Sequence, residues 1–171
     1  MNMRRTIATG IVALMTCVCF ASSAGAENRN LFIIERSKNA NIVKYDARIG
    51  KDGTIDRKQP VEAYWVLKAE GGKRQELSIL DKQAYGFSVT WDAEQRYYRM
   101  TITPFSTREI KIIENNGVPE ADTVIAGSLA RLQKIFIKSV ESFPQPKVQY
   151  LVVFGKDKKT GKDRREKIVP K

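Results

Sequence analysis

The sequence has no histidine at all, and only two cysteines, Cys17 and Cys19, in 171 residues. Each absence removes chemistry. Without histidine there is no Ser-His-Asp or Cys-His catalytic apparatus, and no zinc site of ordinary composition. A Ser-Lys arrangement survives that argument, but no serine after the first 26 residues has a lysine three positions on; Ser37-Lys38 is a direct neighbour pair. No glycine-rich phosphate cradle occurs, since Gly50-Lys51 lacks the earlier glycine and the helix start that such a loop needs. Paired carboxylates remain open to a glycosidase, with Glu62, Glu70, Glu76 and Asp81 as candidates. Their ordinary role is that of solvated surface charges. Asp52 to Asp56 lacks the ligand ladder of an EF-hand and reads as a hairpin loop. On this ground the chain reads as a non-enzyme more than as an enzyme, with no cofactor and no metal.

Long apolar runs are also scarce. The one clear run lies at Ile7 to Phe20, after Arg4 and Arg5 and before Ala24-Gly25-Ala26. A positive start, a short apolar stretch and a small-residue cleavage pattern make a secretory signal peptide over residues 1–26. The run is shorter than the roughly 20 residues of a spanning helix. A lipoprotein anchored through Cys17 ranks far behind, because Leu14-Met15-Thr16 lacks the small residue expected before such a cysteine. The expectation is therefore a periplasmic or secreted protein without a transmembrane segment.

Removing residues 1–26 takes both cysteines with it, so residues 27–171 form one domain held by a hydrophobic core without disulfides. About 145 residues suffice for that. The formal net charge falls from +11 to +9, because Arg4 and Arg5 leave and no acid does. In an exported protein such charge suits an anionic envelope component, lipid or polymer, better than nucleic acid, or simply aids solubility. Oligomeric state is not legible.

What the chain does have is period-two alternation. Val43, Tyr45, Ala47 and Ile49 point one way while Lys44, Asp46 and Arg48 point the other. Val61, Ala63, Trp65 and Leu67 share a face, as do Phe87, Val89 and Trp91, then Tyr98, Met100 and Ile102, and later Val148, Tyr150, Val152 and Phe154. Leu31 to Ile34, Ile110 to Ile113 and Arg164 to Val169 add further strands. Leu77, Leu80 and Ala84 stand at helical spacing, so Gln75 to Ala84 is the one short helix. Ala69 to Arg74 reads as a Gly-Gly turn, Asn115-Asn116-Gly117 as a hairpin turn, and Phe143 to Pro146 as a proline-rich turn. Asp122 to Phe143 fits either period; β-branched and aromatic residues at Ile135-Phe136-Ile137 favour a strand over Ala130 to Val140.

About nine short strands with close turns predict an all-β antiparallel meander with one short helix. An up-and-down barrel of the calycin type is favoured, with a two-layer β-sandwich as the alternative.

Tyr64 and Trp65 are neighbours on a strand and so face opposite ways. Trp65 shares its face with Val61, Ala63 and Leu67 and is expected inside. There Trp65, Tyr98 and Tyr150 either pack a core, the favoured reading, or line a cavity for a small, partly apolar or lipid-like ligand. Arg74 either caps a barrel mouth and meets an anionic head group or pairs with Glu70 at the surface. Tyr64 and the Glu70 to Arg74 turn keep a free surface. The basic stretch Lys156, Lys158, Lys159 and Lys162, continued by Arg164 and Arg165, is the candidate contact with an anionic envelope surface. Its ordinary reading is a solvated hairpin tip.

Several stretches together resemble a known family. They are Asn39-Ala40-Asn41 before Val43 to Ala47, Pro60-Val61-x-Ala63-Tyr64-Trp65, Glu70-Gly71-Gly72-Lys73-Arg74, Ala84-Tyr85-Gly86, and Phe154-Gly155-x-Asp157-x-x-Thr160-Gly161. The chain is similar to an exported bacterial family known only as domain of unknown function number 4833. The resemblance covers nearly all of residues 27–171 and implies one intact domain. It brings no activity, ligand or catalytic residue.

Overall fold

The computed structural model describes residues 28–142 and 147–170. The expected signal peptide and the Phe143 to Pro146 turn lie outside the described residues. Among the described residues the protein is all-β with one short α-helix, as its alternation and its one stretch of helical spacing predict. The chain runs β1 (Asn28–Arg36), β2 (Asn39–Arg48), β3 (Val61–Leu67), β4 (Lys73–Glu76), α1 (Ile79–Tyr85), β5 (Phe87–Asp92), β6 (Tyr97–Ile102), β7 (Ile110–Asn115), β8 (Val118–Ile125), β9 (Ser128–Val140), β10 (Lys147–Asp157) and β11 (Asp163–Ile168).

The long strand β9 is the spine. One of its edges carries β10, from Val140 opposite Lys147 to Ala130 opposite Asp157. Its other edge is shared. The first part, Ser128 to Arg131, pairs antiparallel with β8, and Lys134 to Ile137 pairs in parallel with β1. Two wings leave that edge, β1-β2-β3-β4 and β8-β7-β6-β5. They form a nine-strand path that curls into a half-barrel, while β11 extends the sheet beyond β10. Among the described residues β1 with β9 is the one parallel pair; the other pairings are antiparallel.

The wings close over a single core. Phe32 stacks on Tyr45 with ring centroids 4.5 Å apart, and Tyr45 meets Phe87 of the opposite wing edge-on at 6.1 Å. Ile34, Val43, Met100, Ile110, Ile112, Leu132, Ile135 and Val153 are completely buried beside them. Gly155 allows β10 to cross β9 closely: a Cβ there would lie 2.3 Å from the Arg131 carbonyl oxygen, which is main chain and cannot yield.

Three elements differ from the sequence reading. Lys73-Arg74, expected as the end of a turn, and Gln75-Glu76, expected as the start of the helix, together form the edge strand β4, which pairs with Tyr64 to Leu67. The helix occupies Ile79–Tyr85 and begins later than Gln75, because Ser78 and Asp81 form a reciprocal capping box that fixes its start. The ambiguous segment divides into β8 and β9 at a two-residue turn, Ala126-Gly127, whose residues both have positive φ. No helix among the described residues is long and apolar enough to cross a membrane.

Candidate functional site

The two wings do not pair with each other: β4 ends one and β5 ends the other. Beside this open seam α1 leads into β5, and a cleft of about 650 Å³ opens there. That volume falls within the usual range for small-molecule sites. Ala63 of β3, Leu77, Phe87 of β5 and Ile102 of β6 give it an apolar floor. Lys82 of α1 supplies a cation, and Ser88, Thr101, Thr103 and Ser106 supply hydroxyls. Among the described residues no carboxylate lines it.

Local chemistry holds this seam in place. The Tyr45 hydroxyl donates to the Tyr85 carbonyl at 2.6 Å, tying the end of α1 to β2. Burial, with Tyr85 adding to it, pushes the Tyr45 hydroxyl well above the usual phenol range, so it stays a neutral donor. The Gly86 amide caps α1 on the Lys82 carbonyl at 2.8 Å, and the Thr103 amide and hydroxyl both donate to the Gly86 carbonyl. A Cβ on Gly86 would lie 2.2 Å from that Lys82 oxygen. The hydroxyls of Ser88 and Thr101 share a hydrogen bond of 2.7 Å on adjacent strands. Ile79, three residues before Lys82 on the same side of α1, is 80 % exposed.

None of the aromatic residues singled out by sequence lines this cleft. Trp65 is buried in the core, as its face implies, with Tyr85 against its edge at 5.2 Å and the Arg36 guanidinium over its ring at 4.3 Å. Tyr98 belongs to the inner face of the other wing, packed on Trp91 at 4.8 Å. Tyr150 is on the outer face under the Lys167 ammonium, 4.2 Å from its ring centre. The three therefore do not meet: Trp65 and Tyr98 pack in the core, the reading that their strand faces favour, while Tyr150 lies outside it.

Tyr64 faces out, opposite Trp65, but keeps little free surface. Arg74 lies across its ring at 3.8 Å, and its hydroxyl donates to Asp46 at 2.7 Å. Burial first, then Asp46, raise the Tyr64 hydroxyl above its usual range. Arg74 binds Glu62 at 2.9 Å on this outer face, away from the cleft, and Lys73 takes Glu70 at 3.6 Å. Thus Glu62 and Glu70 are ion-paired, and the Asp81 carboxylate accepts the Ser78 amide and hydroxyl at the start of α1, so these acids have structural partners. The sequence signal that could have found the cleft was modest: Lys82 on a short helix before a Gly-Phe-Ser strand start.

Three of the six cations of the basic hairpin are paired within the molecule. Lys156 pairs with Asp163 at 3.0 Å, and Arg164 with Asp157 at 2.7 Å. Lys158 turns inward between Glu120 and Asp122, at 2.5 and 3.0 Å. The Asp157 carboxylate accepts the Thr160 and Lys159 amides and the Arg164 guanidinium, which hold it down at about 2. Lys159, Lys162 and Arg165 have no acidic partner among the described residues.

With this geometry in hand, comparison with known families gives a match over residues 32–167 to the model described as Domain of unknown function (DUF4833). The chain belongs to the DUF4833 family. The matched span begins within β1 and ends within β11, so the DUF4833 unit is the complete curled sheet with both wings and the seam. No curated protein and no solved structure matches the chain.

Proposed function

We propose that this DUF4833 protein is an exported binding protein that takes a small, partly apolar ligand carrying an anionic or strongly polar end. The observation behind this reading is the seam cleft. Among the described residues it has an apolar floor, the cation of Lys82 and several hydroxyls, and no carboxylate to repel an anion. A few convergent polar groups on a mostly apolar pocket are the usual composition of ligand sites. The apolar part would lie on Leu77, Phe87 and Ile102, with the polar end turned to Lys82. Export rests on the signal-peptide pattern of residues 1–26.

The test is an NMR titration of isotope-labelled protein with decanoate. Shifts confined to Lys82, Ser88, Thr101 and their neighbours are expected. Ser88→Trp fills the mouth of the cleft and should abolish them, and Lys82→Gln should weaken binding without moving the site. Shifts scattered over the surface, or an unchanged titration in Ser88→Trp, would overturn the reading. Recovery from the periplasmic fraction, with a chain beginning near Glu27, tests the export half separately.

A further inference from the structure

The outer face of β9, β10 and β11 carries a pattern that the seam does not use. Inward residues Ile135, Ile137, Leu151 and Val153 belong to the core. The alternate residues therefore face out. Along β10 these are Tyr150, Val152 and Phe154, an apolar stripe continued by Phe136 opposite Val152, in which Val152 is itself buried and the three aromatic rings are half-buried. Cations flank the stripe on both sides. Lys134 and Lys138 stand on β9 opposite Phe154 and Tyr150. Arg165 and Lys167 stand on β11 opposite Phe154 and Val152.

The aromatic rings hold these cations. The Lys134 ammonium lies 5.0 Å and the Arg165 guanidinium 5.9 Å from the Phe154 centroid, and the Lys167 ammonium 4.2 Å from that of Tyr150. Such contacts position a cation without neutralising it. Lys134 shares its charge with Glu35 at 3.0 Å. Lys138, Arg165 and Lys167 have no acidic partner among the described residues. A groove of about 420 Å³ lies between Lys134, Phe154 and Arg165.

We infer that this face docks on an anionic phospholipid surface. The two rows of cations are two strand spacings apart, about 10 Å, and Lys134 and Lys138 are about 13 Å apart along β9. The charge is thus spread in two dimensions, as in a layer of headgroups. A linear polyanion would call for cations in a single file. Half-buried aromatic residues between the cations suit the boundary where one side is apolar and the other wet. The charged hairpin that sequence alone suggests is a weaker contact, because Lys156, Lys158 and Arg164 are already paired within the fold.

The experiment is co-sedimentation of protein purified from its own cells with vesicles of phosphatidylglycerol and phosphatidylcholine, and with phosphatidylcholine alone, at low and high salt. Binding to the anionic vesicles alone, weakened by salt, is expected. The triple variant Lys138→Gln/Arg165→Gln/Lys167→Gln should lose roughly 100-fold in affinity, from ~1 kcal/mol per cation near an anionic surface. The hairpin variant Lys159→Gln/Lys162→Gln should stay within a few-fold of the parent. All substituted residues are at the surface, and matching thermal melts confirm that each variant is folded. The inference falls if the triple variant binds like the parent, or if the hairpin variant loses as much. It also falls if the parent ignores vesicles and instead binds dextran sulfate or an oligonucleotide in solution. Because Ser88→Trp leaves this face intact, vesicle binding by that variant separates this docking surface from the seam cleft.

Discussion

The Tyr45 hydroxyl and the Tyr85 carbonyl, 2.6 Å apart, join an interior strand of one wing to the last residue of the helix that opens the other. Tyr45 itself is completely buried and stacked on Phe32. Its phenol therefore does two jobs: the ring fills the core and the hydroxyl fixes one wall of the cleft. Tyr45→Phe keeps the ring and leaves the Tyr85 carbonyl without this donor. The expected cost is about 1–3 kcal/mol, that of stranding a buried polar group, read from urea denaturation. Hydrogen exchange should quicken at Lys82 to Phe87 before it changes in β9 or β10. Uniform quickening would mean that the bond contributes only to global stability.

Ala126 is a sequence choice at odds with its backbone. Its φ of 49° lies in the left-handed region, which costs a residue with a Cβ roughly 1–2 kcal/mol. The turn is nonetheless held, because the Ala126 amide donates to Glu166 at 2.7 Å and Arg108 grips the same carboxylate at 2.6 and 2.8 Å. Arg108 first, together with that amide, outweighs burial and lowers Glu166 below its usual range. Ala126→Asn suits the two-residue hairpin geometry. It should stabilise the fold by about 1 kcal/mol, seen as a higher thermal midpoint in calorimetry. A lower midpoint would show that Asn disturbs the Glu166 contact.

The same turn explains what the sequence hid. The β7–β8 hairpin announces itself through Asn116-Gly117, two residues that take positive φ readily. The next turn, Ala126-Gly127, carries alanine in place of Asn or Asp, so nothing punctuates Asp122 to Phe143, and the residue pattern marks a strand only over Ala130 to Val140, within β9. β4 was invisible for another reason: Lys73-Arg74-Gln75-Glu76 has no apolar residue, and it becomes a strand only by pairing with β3. The parallel contact of β1 with β9 joins residues about a hundred positions apart and leaves no local periodicity. Alternation does reveal the inward face of β3, and Trp65 lies in the core on that face. It could not reveal that Arg74 would cover Tyr64, since that depends on β4. Nor could it place the seam, which arises from where two wings stop.

Lys158 supports a prediction in which pH separates two explanations. Its ammonium sits between Glu120 and Asp122, both nearly buried on β8, with Arg131 also beside Glu120. Asp122 is raised above the usual carboxylate range by burial, which Lys158 only partly offsets. Lys158→Met removes the shared cation and strands buried charge, at a cost of about 3–5 kcal/mol near neutral pH. The loss should shrink as pH falls toward 4, where the stranded carboxyls take up protons. Glu120→Gln/Asp122→Asn on top of Lys158→Met should recover much of it. Denaturant curves at pH 7 and pH 4 read both effects; a pH-independent loss would assign the defect to packing.

Asp157 is the opposite case, and its sign differs. Its carboxyl is held at about 2 by the Thr160 amide and the Arg164 guanidinium, with the Lys159 amide adding to them. An unfolded aspartate titrates near ~3.9. A group whose folded value is depressed contributes stability that is fully present above the unfolded value and is lost as pH falls through the folded one. The window for Asp157 therefore runs from about pH 4 down to about pH 2. Asp157→Asn should lower the thermal midpoint at pH 7, and the gap from the parent should close across that window. Arg164→Gln should weaken the carboxylate's hold and shift the closing of the gap to higher pH. A gap of constant size from pH 7 to pH 2 would mean that the turn depends on the shape of the side chain at 157 and not on its charge.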